Sequence, residues 1–237
     1  MGVSLFAIGD LHMPGGDDKP MDVFGEHWTN HVERIFADWR EKVSQEDTVL
    51  IPGDVSWAMR LEDALPDLHA IGRLPGRKLF VKGNHDLWWS SLQKLRAVLP
   101  EGMEVIQHTA VDVGDAVVCG TRGWNFPTDD APLPEEDQRV LSRELIRLEL
   151  ALQAAVKMAA GEKPVIVMMH YPPLFAQLRD TPFTGLIAQY PVHTVVYGHL
   201  HGQAIHAGFN GVHDHVRYQL VSSDSLGFAL APVSLEL

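Results

Sequence analysis

Nine residues, Lys78-Leu79-Phe80-Val81-Lys82-Gly83-Asn84-His85-Asp86, constrain this chain more than any others. A short apolar run reads as a buried strand that stops at a glycine. The apolar, aromatic stretch from Leu87 onward reads as a helix, Trp88 to Val98. A strand that empties into Gly83-Asn84-His85-Asp86 puts an amide oxygen, an imidazole and a carboxylate on one tight turn. Such a turn is costly unless its groups bind something. The bland reading is a polar turn whose Asn84 takes the left-handed conformation. The other strand ends decide between the two.

Val3 to Ile8 reads as a first strand ending in Gly9-Asp10-Leu11-His12, and Thr48 to Ile51 as a second ending in Pro52-Gly53-Asp54. Between them, from Val23 to Lys42, the apolar Trp28, Val32, Ile35, Phe36 and Trp39 recur at helical spacing, with His27 and His31 on that helix face. Leu61 to Ile71 is the next helix. Strand, helix, strand, helix, strand with short connections signals parallel strands and right-handed crossovers. In such sheets ligands bind beyond the carboxyl ends of the strands, where Asp10, Asp54 and Asn84 all sit.

After Val98 the rhythm changes. Short runs at 104–106, 110–113 and 116–119 suggest antiparallel neighbours. An irregular loop with Trp124, Asp129 and Asp130 leads to a long helix beginning near Pro134. Its buried stripe is Leu141, Leu145, Leu148 and Leu152, and Gly161 ends it. Val165 to Met169 is a buried strand followed directly by His170. A short helix follows, as far as Gln189. Thr194 to Tyr197 is a strand ending in Gly198-His199-Leu200-His201. The tail from Ala204 alternates and is expected to add antiparallel strands to a second sheet, with His206, His213 and His215 on turns or strand faces. No repeat or linker marks a boundary, so one domain over 1–237 is expected.

Composition bounds the function. The chain has 237 residues, 46% of them hydrophobic, and no run approaches a membrane span or follows a basic leader. A single cysteine, Cys119, lies in an apolar run; it excludes an internal disulfide and suits a reducing cytoplasm. The net charge of −12 argues against a long nucleic acid as partner. It leaves room for a small phosphorylated substrate, because bound metal ions reverse a local field.

Five strand ends thus carry ligand chemistry: Asp10 with His12, Asp54, Asn84 with His85, His170, and His199 with His201. Oxygen donors and imidazoles without thiolate suit Mn²⁺, Fe, Zn²⁺ or Mg²⁺. Seven ligand-type residues are too many for one tetrahedral ion and fit two octahedral ions sharing a carboxylate. Two divalent ions against Asp10 and Asp54 leave the site electropositive, and neutral Asn84 preserves that charge.

The ordered set Asp-x-His, Gly-Asp, Gly-Asn-His-Asp, His and Gly-His-x-His, from Gly9 to His201, resembles the calcineurin-like metallophosphoesterase superfamily. The resemblance implies an α/β fold of two packed mixed β-sheets flanked by helices, a four-layer α/β/β/α sandwich. It implies one ion on Asp10, His12, His201 and bridging Asp54, and a second on Asp54, Asn84, His170 and His199. His85 would act near the phosphate as acid or transition-state stabiliser, and Asp86 would orient it through a hydrogen bond. The implied activity is phosphoester hydrolysis by a dimetal-activated hydroxide. A small phosphodiester such as a cyclic nucleotide is the first choice. A phosphomonoesterase or protein phosphatase is the alternative, and a catalytically silent metal-binding scaffold is the rival of another class. A nuclease or a membrane-lipid hydrolase fits less well, for want of a gripping domain or a basic amphipathic helix. Trp57, Arg60, Trp124 and Tyr171, beside the ligand turns, are candidates for a substrate wall, with an aromatic face for a base and Arg60 for a phosphate oxygen. The Gly- and Pro-rich connection Pro14–Met21 reads as either a flap or a long loop.

Overall fold

The computed structural model describes residues 4–16, 21–128 and 132–235. Val3, four residues of the Pro14–Met21 connection, and Asp129 with Asp130 lie outside the described residues.

Two mixed sheets form from these short apolar runs. In the first, β1 (Leu5–Ala7), β2 (Thr48–Ile51), β3 (Arg77–Phe80) and β4 (Met103–Val105) run parallel in that order. The second contains β5 (Ala110–Asp112), β6 (Val117–Thr121), β7 (Val165–Met169), β8 (Val192–Tyr197), β9 (Gly211–His213) and β10 (Val216–Leu220). Its central four, β6, β7, β8 and β10, are parallel, with β5 and β9 antiparallel at the edges. A last short strand, β11 (Ala231–Pro232), returns to the first sheet and pairs antiparallel with β1.

The period of two along each strand sorts side chains into layers. Leu5, Ala7, Leu50 and Leu79 of the first sheet meet Val118, Ile166, Met168 and Val196 of the second in the inter-sheet core. Val49, Ile51 and Phe80 point the other way, against α1 (His31–Lys42), α2 (Leu61–Gly72) and α3 (Leu92–Val98). Likewise Val117, Cys119, Val167 and Tyr197 face outward against α4 (Glu135–Ala159) and α5 (Pro182–Ile187). The four layers are α/β/β/α, and Cys119 is a buried free thiol whose pKa burial pushes up to about 12.

Four local expectations are corrected. β4 is parallel to β3, and the tail does not simply add antiparallel strands: β10 lies parallel to β8 and β11 leaves the second sheet altogether. Such choices depend on partners remote in sequence, which alternation along a strand does not encode. The helix expected from Val23 starts only at His31; before it stand two 3₁₀ turns, Met21–Phe24 and Glu26–Trp28, and a left-handed Asn30 at φ 54°. The helix expected from Trp88 starts at Leu92, where Ser91 caps Lys94 N–H. Pro134 precedes α4 as its cap, and Ala160, left-handed at φ 51°, ends it one residue before Gly161. Leu141, Leu148 and Leu152 of its stripe are buried, with Leu145 half-buried.

A candidate dinuclear metal centre

Parallel direction brings all five ligand turns to one end of the molecule, at the seam between the sheets. The turns after β1, β2 and β3 come from the first sheet, and those after β7 and β8 from the second. Backbone bonds close the seam: Gly9 N–H donates to Val221 O at 2.7 Å and Ser223 N–H to Gly9 O at 3.1 Å. The Ser223 hydroxyl adds a bond of 2.8 Å to Asp10 O.

The turns are held in a costly backbone form. Asp10 (φ 56°), His12 (φ 45°), Asp54 (φ 51°) and His199 (φ 75°) are all left-handed, at about 1–3 kcal/mol each. Asn84, the residue suited to that conformation by type, is not among the positive-φ residues. Two glycines admit the ligands by having no side chain. A Cβ on Gly83 would stand 2.0 Å from Asp54 Oδ1, and one on Gly198 would stand 2.3 Å from Asp10 Oδ2.

The ligand atoms fall into two groups. In the first, His12 Nε2 and His201 Nε2 are 3.3 Å apart, with Asp10 Oδ1 3.5 Å from the latter. In the second, His170 Nε2 lies 2.6 Å from Asn84 Oδ1 and 3.1 Å from His199 Nδ1. Asp54 Oδ2 sits between them, 4.0 Å from His12 Nε2 and 3.5 Å from His170 Nε2. Two neighbouring ligands on an octahedral ion about 2.1 Å away stand about 3.0 Å apart, so these spacings fit coordination.

The donor chemistry fits too. His170 Nδ1–H donates to Pro52 O at 3.0 Å, which leaves Nε2 with a bare lone pair aimed at the Asn84 oxygen and the His199 ring. His201 Nδ1–H points at Asp224 Oδ1 at 2.8 Å, and its Nε2 faces His12 Nε2 and Asp10 Oδ1, the place an ion would take in exchange for the proton of that nitrogen. The His170 lone pair facing the Asn84 oxygen calls for a cation between them. Charge makes the same demand. Asp10, Asp54 and Asp86 are all buried. Burial, reinforced by the charges of Asp86 and Asp10, outweighs His170 and pushes the Asp54 carboxyl up to about 7. Burial lowers His199 to about 4 and His12 well below the usual range, so both rings are neutral, the form that binds metal. His201 goes the other way. Burial would lower it, but the Asp10 and Asp224 carboxylates on either side raise it to about 10.

His85 stands apart from both groups. Its backbone N–H donates to Asp54 Oδ1 at 2.8 Å while its ring is exposed. Asp86 does not touch that ring, contrary to the expectation that it orients it. Its carboxylate instead accepts from the backbone of Asp54 (2.9 Å), Val55 (2.8 Å), Ser56 (3.3 Å) and Gly83 (2.8 Å), and from the Trp88 indole (3.0 Å). Asp86 therefore ties the β2 and β3 turns together.

The four wall candidates separate. Trp57 stacks on His12 (4.8 Å, 19°) and packs on His85 (4.4 Å). Tyr171 lies on the opposite side of the centre, 4.3 Å from His199, with Trp124 behind it at 5.1 Å. Trp124 is held by an indole bond to Asp137 (3.0 Å) and by the Arg122 guanidinium over its face (4.4 Å). Arg60 is exposed, caps α2 and does not line the cavity beside Trp57.

That cavity, about 350 Å³, opens against His12, His85 and His201 and is walled by Met21, Phe24, Trp28 and Trp57. Trp28 was expected on a helix stripe, and it reaches the site because the 3₁₀ turn aims it there, 5.6 Å from His201. His27 lines the same cavity. His31 is buried, its ring nitrogens facing Trp28 O (3.2 Å) and Leu11 O (3.1 Å), and it holds the β1 turn. Asp224 and Trp28 are the residues the sequence did not single out. Asp224 sits in a polar Ser-Ser-Asp-Ser run that carries no motif of its own.

A family model described as calcineurin-like phosphoesterase matches residues 3–203. No curated protein matches the chain. Among solved structures, a phosphopantetheinyl hydrolase from Mycobacterium tuberculosis is 16% identical, with 97% of this chain and 95% of that one covered and a TM-score of 0.58. A protein of unknown function from Aquifex aeolicus is 14% identical, over 98% and 96% of the two chains, at a TM-score of 0.48. At 16% identity the likeness to the hydrolase concerns the fold alone.

Proposed function

The chain belongs to the calcineurin-like phosphoesterases, and from that membership we propose that it hydrolyses small phosphodiesters, the class that includes cyclic nucleotides, on two divalent ions. The observation that supports this most directly is the pair of ligand groups meeting at Asp54 Oδ2, with ring nitrogens facing one another across each. Asp10, His12, His201 and Asp54 would hold one ion, and Asp54, Asn84, His170 and His199 the other. An all-oxygen and nitrogen set favours manganese or iron. When bound, the ions supply Lewis-acid charge to the phosphoryl oxygens and acidify water.

The chain's own groups do the rest. Hydrolysis joins a water oxygen to phosphorus and breaks one ester bond, and the departing oxygen takes a proton. A ring nitrogen of His85 is placed to give it: the ring faces the cavity while its backbone is fixed to Asp54. Pro52 O and Asp224 hold the His170 and His201 rings in ligand orientation. The diester preference is supported by the wall of Trp57 and Trp28 beside the first ligand group; Tyr171 is buried and Trp124 packs against the outer core of the second sheet. A cytoplasmic location belongs to the same reading. It is supported by the single free cysteine, and no described helix is long and apolar enough to cross a membrane.

The test is metal reconstitution followed by paired aryl mono- and diester substrates and a phosphopantetheinyl ester. Two ions per chain and faster diester turnover are expected. Full turnover by verified metal-free protein would overturn the dimetal reading, and a faster monoester would make the protein a phosphatase.

A further inference from the structure

The cavity beside His85 has a composition that selects what enters it. Its walls are Met21, Phe24, Trp28 and Trp57, and none of its described lining residues is an acid, a lysine or an arginine. The loops around it carry apolar side chains into solvent. Val23 and Phe24 are 73% and 62% exposed, and Met59 and Leu87, each two residues beyond Trp57 or His85, are 60% and 54% exposed. A soluble domain leaves few large apolar side chains in contact with water, and a concentration of them beside a reactive centre marks a surface that meets an apolar ligand. The volume is informative as well. A dry cavity of about 150 Å³ holds one benzene ring. At about 350 Å³ this cavity is large enough for a fused bicyclic ring or a medium-length alkyl chain.

We propose that the cavity is the subsite for the leaving arm of the phosphodiester, and that this arm is an uncharged alkyl or aryl group. The proposal rests on the phosphodiesterase reading of the metal centre. The arm is assigned to this side because His85, the proton donor of the proposed reaction, lines the cavity and packs on its Trp57 wall. A nucleotide base fits less well, since its polar edge would lie against Met21, Phe24, Trp28 and Trp57. His12 and His201 belong to the ligand group and His85 to the proton transfer, which leaves the edge His27 alone among the lining side chains.

The test uses the metal-loaded protein and methyl phosphodiesters whose second arm is methyl, butyl or octyl, the released alcohol being identified, with a phenyl and 1-naphthyl pair, matched in leaving-group acidity, to read aryl size by itself. Burial of a methylene is worth about 0.8 kcal/mol, so kcat/KM should rise about three- to fourfold per methylene until the cavity is full. Phe24→Asp, at a position whose exposure makes it independent of folding, should lower the octyl-to-methyl ratio at least tenfold. In parallel, 1-naphthol should quench tryptophan emission saturably, and Phe24→Asp should weaken that quenching. Equal kcat/KM along the series, or a cyclic nucleotide turned over faster than the octyl and naphthyl esters, overturns this proposal and leaves the phosphodiesterase reading intact. Hydrolysis of no diester overturns that reading, and the proposal with it.

Discussion

Asp224 Oδ1 lies 2.8 Å from Nδ1 of His201, and its second oxygen accepts the Gly202 N–H at 3.0 Å. One carboxylate thus fixes both the ring and the backbone that carries it. Asp224→Asn should lower affinity for one ion of the pair about 10- to 100-fold, the usual cost of losing such a partner to a metal-binding histidine. Titration calorimetry checks it. Two unchanged affinities would show that Asp224 does not position His201.

Metal binding should release protons. His201 is raised to about 10, so in the free protein at pH 8 its ring carries a proton that an ion must displace. Affinity for the His201 site should therefore rise as pH rises toward about 10. Asp54, raised to about 7, adds a further rise below pH 7. Calorimetry at pH 8 in buffers of different ionisation heat should give about one proton released per His201 site filled. Heats independent of buffer would contradict this.

His85→Ala should keep both ions and lose about 10²–10⁴ in kcat, the range for a proton donor. Asp54→Ala should instead lower occupancy of both sites, since Asp54 Oδ2 faces each group. Metal content measured beside turnover separates the two variants, and loss of an ion from His85→Ala would make His85 a ligand.

Asp86→Ala should act on stability. It strands four backbone N–H groups and the Trp88 indole in the interior, and each buried donor without an acceptor costs about 1–3 kcal/mol. A fall in Tm of about ten degrees or more is expected, with kcat of the folded, metal-loaded fraction well above that of His85→Ala. A normal Tm with kcat lowered as far as in His85→Ala would return Asp86 to the role of orienting His85.

The sequence carried the strands and their ends because both are local signals. Val-Leu-Ile before Pro52-Gly53-Asp54 needs no distant information, and neither does Met-Met before His170. Strand partners were not legible, because β10 finds β8 and β11 finds β1 through contacts remote in sequence. The helix expected from Val23 shows the opposite failure. Its apolar spacing is real, yet the left-handed Asn30 breaks it and turns Trp28 into the site. Asp224 was invisible for a simpler reason: its role lies in one hydrogen bond to a histidine 23 residues earlier. Asp86 follows His85 directly, yet its bonds go to the backbone of both turns and to Trp88, which adjacency in sequence does not reveal.

The Asp10 turn is pinned by the far end of the chain, with Ser223 Oγ bonded to Asp10 O across 213 residues and Gly9 N–H bonded to Val221 O. Synthesis is vectorial, and domains form as the chain emerges. The earliest ligand turn made is therefore among the last to be fixed. A nascent chain that stops short of Val221 has all seven ligand-type residues and lacks the clasp that holds Asp10 among them. Such a chain therefore carries the ligand residues without the bonds that set the Asp10 turn, and completion of the site waits on the last strands.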